Sequence, residues 1–192
     1  MTTAALSHPK AERIWTYDEM PTELPETNAP MELWDGEIIT SPSPSFFHQD
    51  IVLRFFKLLD GWVAPRRLGK TTTAPLDMVL APNLAVQPDV MFVSNERRQI
   101  IQRVLMGAAD LVLEVISPGT RHRDHIEKRD LYEQHGVKEY WIADPDAQTV
   151  EVLFLENQQY KLAGHRRPGE TARSRLLEGF EVDVMQLLST EE

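Results

Sequence analysis

The chain has no cysteine among its 192 residues, which excludes disulfides, thiolate zinc sites and a cysteine nucleophile. It also has no apolar run that approaches the ~20 residues needed to span a bilayer. Residues 1–10 lack the apolar stretch of a signal peptide. We therefore expect a cytoplasmic protein that makes no contact with a membrane.

An excess of positive charge is missing as well, since the formal net charge is −10. This charge argues against a broad basic surface that would bind DNA without specificity. It does not exclude nucleic acid, because the distribution of charge matters more than its sum. The basic residues occur in clusters, which could be solvated faces or the rim of a binding site. The clusters are Arg66, Arg67 and Lys70; Arg97, Arg98 and Arg103; Arg121 and Arg123; and Arg166, Arg167, Arg173 and Arg175.

Two early elements have clear local signals. Asp35-Gly36 lies between two short β-prone runs, Met31–Trp34 and Glu37–Thr40, and this pattern predicts a hairpin. Residues 46–63 carry apolar side chains at three- and four-residue spacing, which predicts a helix with one wide apolar face.

The remaining pattern mixes strands with helices. We predict helices over residues 94–106 and 122–135, with Gly136 as the C-terminal cap of the second. Residues 176–188 are expected to close the domain against the sheet. The predicted class is therefore α/β or α+β with a mixed sheet, in one domain over residues 16–192 after an N-terminal arm, residues 1–15. Strands are predicted over residues 71–73, 76–80, 90–93, 111–116, 140–143, 150–155 and 159–162.

Glu114 is a carboxylate inside the apolar run of residues 111–116, which is typical of a strand buried on both faces. Such a carboxylate costs several kcal/mol unless something compensates its charge. A structural salt bridge or a position at the end of the sheet would satisfy it. A hard cation bound to its oxygens would do so as well.

Asp89 strengthens the cation hypothesis. It follows Pro88 at the start of the strand over residues 90–93, although Pro-Asp is also a common turn pair. Acids on two neighbouring strands could converge on one Mg²⁺ and leave positions for water and phosphate.

Two further charged residues complete the candidate cluster. Lys128 lies on a partly apolar helix face, where a lysine either extends its ammonium to solvent or pairs with acids. Beside metal-bound carboxylates it could orient water and offset charge on phosphate oxygens. Glu32, in the hairpin, could add another carboxylate, although an acid beside a tight turn also fits a structural role.

These residues occur within an ordered set of short motifs. The motifs are Met31-Glu32-Leu33-Trp34-Asp35-Gly36-Glu37-Ile38, Ser43-Pro44 with His48, Ala74-Pro75-Leu76-Asp77, Gln87-Pro88-Asp89-Val90, Ala109-Asp110-Leu111-Val112-Leu113-Glu114-Val115-Ile116-Ser117-Pro118, Lys128 with Tyr132, Gly136-Val137-Lys138-Glu139-Tyr140-Trp141 and Asp144-Pro145. In this set the chain resembles, over about residues 16–188, the Uma family of bacterial restriction-endonuclease-like proteins in the PD-(D/E)XK nuclease superfamily.

The resemblance implies a mixed sheet flanked by helices and a site on the strands of Asp89 and Glu114. It implies Mg²⁺ or Mn²⁺ as cofactor, held by Asp89, Glu114, the carbonyl of Val115 and the early acid Glu32. The superfamily lysine two positions after the second acid is replaced by Ile116, and Lys128 is the matching residue.

Three other residues take part in the implied site. His48 matches a family position, as a proton carrier, a phosphate contact or a structural residue. Asp77 and Gln87 line the expected pocket without an assigned role.

The implied activity is metal-dependent endonucleolytic hydrolysis of nucleic acid, with DNA as the default substrate by family analogy. A homodimer is expected because one small acidic module offers little surface to hold a duplex. Two alternatives stay open at this point. One is a catalytically silent module that binds nucleic acid or protein with the same fold, and the other is a phosphoesterase that acts on RNA.

Overall fold

The computed structural model describes residues 13–23, 30–117, 119, 121 and 123–189. Most of the predicted N-terminal arm, residues 1–12, and the end of the chain, residues 190–192, lie outside the described residues. In the described part of the chain, no helix is both long and apolar enough to cross a membrane.

The secondary structure alternates along the chain. The helices of the described residues are α1 (Met20–Glu23), α2 (Phe46–Arg66), α3 (Lys128–His135) and α4 (Val184–Leu188), with a 3-10 helix at Asn95–Ile100 and a π-helix at Arg123–Glu127. The strands are β1 (Met31–Trp34), β2 (Glu37–Thr40), β3 (Gly69–Thr73), β4 (Met78–Ala81), β5 (Leu84–Val86), β6 (Val90–Ser94), β7 (Leu105–Met106), β8 (Leu111–Val115), β9 (Glu139–Asp144), β10 (Thr149–Glu156), β11 (Gln159–Arg166), β12 (Thr171–Arg173) and β13 (Glu181–Asp183).

Two larger sheets organise these strands. One has the order β2-β1-β5-β4-β7, and the other has the order β11-β10-β9-β8-β6-β3. In the six-stranded sheet β8 and β9 are parallel, whereas the other neighbouring pairs are antiparallel. The predicted α/β class with a mixed sheet flanked by helices is therefore confirmed.

The six-stranded sheet is covered on both faces. Side chains of α2 such as Phe55 and Leu59 pack with alternate residues of β8, including Leu111 and Leu113, and with residues of α4. The opposite face, which includes Val112, packs against α3 and against strands of the five-stranded sheet. All five residues of β8 are consequently buried, as the continuous apolar run predicts.

Local capping explains where α2 begins and where α3 ends. The hydroxyl of Ser45 accepts a hydrogen bond from the backbone N–H of His48 at the start of α2. Gly136 ends α3 with φ +79°, a left-handed conformation that glycine adopts at low cost. The predicted cap at Gly136 is confirmed.

Several predicted boundaries were wrong. Residues 94–106 do not form an α-helix, because only Asn95–Ile100 is helical, as a 3-10 helix, and Leu105 pairs with Met78 in the five-stranded sheet. The helix predicted over 122–135 is divided into a π-helix and α3, and residue 122 lies outside the described residues. Strand β5 and the short pair β12–β13 were not predicted from the sequence.

Candidate active site

Asp89 lies in the connection between the two sheets, just before β6. Val90 pairs with Leu113 in the antiparallel register of β6 and β8, so the register continued by one residue places Asp89 beside Glu114. The backbone N–H of Val115 donates to Oδ2 of Asp89 at 2.8 Å. The two acids predicted from the sequence therefore come together on neighbouring strands.

His48 approaches the same carboxylate from α2. Its Nε2 lies 3.4 Å from Oδ2 of Asp89, and the side chains of His48 and Asp89 are 14% and 15% exposed. Among the described residues, Oδ1 of Asp89 takes part in no hydrogen bond. Asp89 is thus less buried than Glu114 and is held through one of its two carboxylate oxygens.

Glu114 is almost completely buried, with 3% of its surface exposed. Its Oε1 accepts hydrogen bonds from Nζ of Lys128 at 2.8 Å and from the hydroxyl of Tyr132 at 2.5 Å. Lys128 is the first residue of α3 and Tyr132 follows one turn later, so both side chains share one helix face. This face of α3 packs on the sheet face that carries Glu114.

Glu32 belongs to the other sheet and meets the same lysine. Nζ of Lys128 lies 3.4 Å from Oε1 of Glu32, and that oxygen also accepts the backbone N–H of Gln87 at 3.0 Å. The indole N–H of Trp34 donates to Oε2 at 3.0 Å. Burial alone would raise the pKa of Glu32, but the charge of Lys128 and these hydrogen bonds lower it. Glu32 is therefore held as a carboxylate.

Tyr132 is the contact that the sequence analysis did not assign, although it noted the residue in the family motif. Burial and the neighbouring Glu114 charge raise its pKa well above the ordinary value. The hydroxyl consequently stays protonated and acts as a donor to Glu114. Its spacing of four residues from Lys128 was the signal that could have identified it.

Gln87 and Asp77 extend this network away from Glu32. The side-chain amide of Gln87 donates to Oδ1 of Asp77 at 2.8 Å, and the hydroxyl of Tyr17 donates to Oδ2 at 2.6 Å. The two residues predicted near the pocket therefore fix the connection between β5 and β6. Through Tyr17, they also tie the N-terminal segment to it.

A second polar cluster lies at the carboxyl end of β9. Both terminal nitrogens of Arg121 contact the buried carboxylate of Asp144, one of them at 3.1 Å from Oδ1. Nε2 of His125 lies 3.7 Å from Oδ2. Burial would raise the pKa of Asp144, but Arg121 lowers it. These contacts fasten the segment that leads into the π-helix and Lys128.

Carboxylate oxygens are the type of ligand that a hard divalent cation prefers. Within the described ranges no group of three or more His, Asp or Glu side chains could hold a metal ion. Mg²⁺ does not require such a group, because it usually keeps several waters and uses only one or two carboxylates. Asp89 and Glu114, on neighbouring strands, could supply those two, and Val115 follows Glu114 at the end of β8 with its backbone N–H on Asp89.

The fold is of the restriction-endonuclease-like class. The family model described as "Putative restriction endonuclease", Uma2, matches residues 16–185. The chain belongs to this family.

A solved structure has a similar fold. The crystal structure of a putative nuclease belonging to DUF820 from Anabaena variabilis is similar, with a TM-score of 0.76 and 23% sequence identity. The match covers 90% of this chain and 97% of that chain. A search of the curated proteins finds no match. Family and fold together support nuclease function in general.

Proposed function

We propose that this protein is a metal-dependent endonuclease that hydrolyses phosphodiester bonds in DNA. The observation that carries the proposal is the placement of Asp89 beside Glu114, with Lys128 2.8 Å from Glu114. Hydrolysis adds a water oxygen to phosphorus and breaks one P–O ester bond. The reaction therefore needs a positioned water and compensation of the negative charge on the phosphate oxygens.

The chain's own residues are suited to these tasks. Asp89 and Glu114, with the carbonyl of Val115, would hold Mg²⁺ or Mn²⁺. When bound, the cation supplies Lewis-acid polarisation of the phosphate and lowers the pKa of its water. The ammonium of Lys128 is placed to orient water and to offset charge that develops on the phosphate.

His48 has a separate role in the proposal. It approaches Asp89 from α2, at 3.4 Å, whereas Lys128 approaches Glu114 from α3. An imidazole in this position can carry a proton or contact a phosphate oxygen. The two cationic candidates therefore flank the acids from opposite elements, α2 and α3.

The test is nicking of supercoiled plasmid with Mg²⁺ or Mn²⁺ by wild type, Glu114→Gln and Asp89→Asn. We expect both variants to lose activity by about 100-fold or more, since each removes a charged ligand. Asp89→Asn keeps an oxygen that can accept from Val115 and is the variant that disturbs folding less. Glu181→Gln is the matched control, because its ion pair with Arg173 is exposed.

Equal nicking by all four proteins would contradict the assignment of the site. The competing function is a catalytically silent binding module, and the net charge of −10 is the observation that favours it. Such a module would give no metal-dependent cleavage and no change in melting temperature with Mn²⁺ that depends on Glu114. Cleavage of structured RNA in preference to plasmid would identify an RNA phosphoesterase.

We also propose that the protein acts as a homodimer. Phe46 and Leu53 lie two helical turns apart on α2 and are 78% and 47% exposed. Apolar side chains at this spacing lie on the same side of a helix, and exposed apolar patches are typical of interaction sites. The mass of the native protein in solution, measured by light scattering, tests the dimer.

A further inference from the structure

We propose that Glu32 is a positioning residue for Lys128 and that it does not bind the metal. The inference rests on the proposed function and deepens it. In this assignment, of the two buried carboxylates that contact Lys128, Glu114 holds the cation and Glu32 holds the lysine.

Both oxygens of Glu32 already have donors from the protein. Oε2 accepts the indole N–H of Trp34, and Oε1 accepts the backbone N–H of Gln87, each at 3.0 Å. Lys128 is a third donor, 3.4 Å from Oε1. Three donors occupy most of the about four acceptor sites of a carboxylate, so a cation would compete with protein groups for Glu32.

Glu32 also lies apart from the other two acids. Glu32 lies on β1 of the five-stranded sheet, whereas Asp89 and Glu114 are neighbours at β6 and β8 of the six-stranded sheet. Its side chain is 8% exposed, against 15% for Asp89. In the part of the chain that the structure describes, the three acids form no group that could hold a metal together.

A single ammonium lies between two carboxylates, Glu32 and Glu114, so the trio keeps a net charge of −1 when all three groups are ionised. Without Glu32, Lys128 would keep its contact with Glu114 on the six-stranded sheet and lose its contact with the five-stranded sheet. A change at Glu32 should therefore alter the position of the lysine more than the binding of a cation by Glu114.

The decisive experiment compares Mn²⁺ affinity and turnover in Glu32→Gln and Glu114→Gln. Free Mn²⁺ is measured by electron paramagnetic resonance on purified protein without nucleic acid. For Glu32→Gln we expect Mn²⁺ affinity within about twofold of wild type and kcat lowered about 10- to 100-fold, the range typical of groups that orient active residues. Glu114→Gln should lose Mn²⁺ affinity by more than about tenfold.

A double-mutant cycle adds a second readout. If Glu32 acts through Lys128, Glu32→Gln should reduce kcat no further in a Lys128→Met background. The same pair of substitutions should give non-additive shifts of the urea unfolding midpoint, and this measurement needs no activity. Glu37→Gln, an exposed glutamate of the same hairpin, is the matched control and should change none of these quantities.

The outcomes separate the hypotheses. A loss of Mn²⁺ affinity in Glu32→Gln equal to that in Glu114→Gln would overturn the inference, as would additive effects on unfolding. If Glu32→Gln does not fold, Trp34→Phe removes one donor from Glu32 and should lower kcat with Mn²⁺ affinity unchanged. Absence of cleavage by wild type would refute the proposed function, while the Mn²⁺ and unfolding measurements would still decide the role of Glu32.

Discussion

Two carboxylates and one ammonium lie together almost out of contact with water, where Glu32, Glu114 and Lys128 are 7%, 3% and 6% exposed. Each charge alone would cost several kcal/mol in such surroundings. The cluster is tolerated because each charged group contacts an opposite charge and fixed hydrogen-bond partners. An arrangement of this kind is weak evidence for stability and stronger evidence for a function that needs charge at this place.

Removal of the Tyr132 hydroxyl tests its role in this cluster. Tyr132→Phe removes the hydroxyl that donates to Glu114 at 2.5 Å and leaves the ring in the core. A hydrogen bond to a charged group contributes about 1.5–3 kcal/mol, so we expect the free energy of unfolding to fall by that amount. We expect kcat to fall about tenfold, because small displacements of a reacting group are costly.

Urea unfolding and plasmid nicking measure the two effects. Tyr160→Phe is the matched control, since its hydroxyl donates to the carbonyl of Val137 in the same core. The control should lose stability and keep its rate of cleavage once folded. A Tyr132→Phe variant that loses stability but cleaves like wild type would assign this hydroxyl a purely structural role.

Some of these buried charged residues could be predicted from the sequence, and others could not. Glu114 was identifiable because a carboxylate within an apolar run is an anomaly visible locally. Glu139 was not, although it is fully buried. It accepts hydrogen bonds from Trp141, Ser174 and two backbone N–H groups more than thirty residues away. Only the fold brings those donors to it.

At the scale of elements, the helix that carries Lys128 begins in an unusual way. A π-helix, Arg123–Glu127, runs directly into α3, and short π segments often occur at functional sites. The ion pair of Arg121 with Asp144 joins the preceding segment to the end of β9. The position of Lys128 therefore depends on contacts made before its own helix begins.

This dependence yields a prediction for Arg121→Met. Loss of the ion pair should loosen the π-helix, and we expect kcat to fall about tenfold or more as Lys128 shifts. Hydrogen exchange should become faster at the amides of residues 123–132 and stay unchanged in β10. Arg173→Met, which breaks an exposed pair with Glu181, is the matched control and should leave both quantities unchanged.

Elements with a clear local signal were predictable, and those without one were not. The period of apolar residues identified α2, and the Asp35-Gly36 turn identified the hairpin β1–β2. Strand β5 has three residues, Leu84–Val86, too few to establish a period. Residues 94–106 resembled a helix because Ile100, Ile101 and Val104 have helical spacing. In the fold, Leu105 pairs with Met78 of β4 instead, and this tertiary contact replaces the helix that the local pattern predicts.

At the scale of the whole molecule, the candidate site lies where the two larger sheets meet. The connection Gln87-Pro88-Asp89 passes from β5 to β6, with Gln87 bound to Glu32 and Asp89 bound to Val115. Lys128 then contacts an acid from each sheet. The site therefore forms only when the two sheets pack together. Loss of the ionised acids should weaken the fold as well as the activity.

The dependence of stability on pH tests this coupling. Burial would raise the pKa of Asp110, but Lys138, at 2.8 Å, and the N–H of Ser94 lower it. The pKa values of Glu32 and Asp144 are lowered as well. Ordinary values for unfolded Asp and Glu are about 3.9 and 4.3. Between each pair of folded and unfolded values the unfolded chain binds more protons, so stability rises with pH.

The contribution of these acids is therefore fully present above their unfolded pKa values and is lost as pH falls through the folded ones. These groups should leave the midpoint of urea unfolding unchanged between pH 7 and about 5. Below about pH 4 the midpoint should fall steeply. Asp110→Asn should be less stable at pH 6 and should show a shallower fall below pH 4. Glu181→Gln should keep the wild-type slope. Parallel slopes for wild type and Asp110→Asn would mean that Asp110 titrates alike in the folded and unfolded chains, and its ion pair with Lys138 would then contribute nothing to the fold.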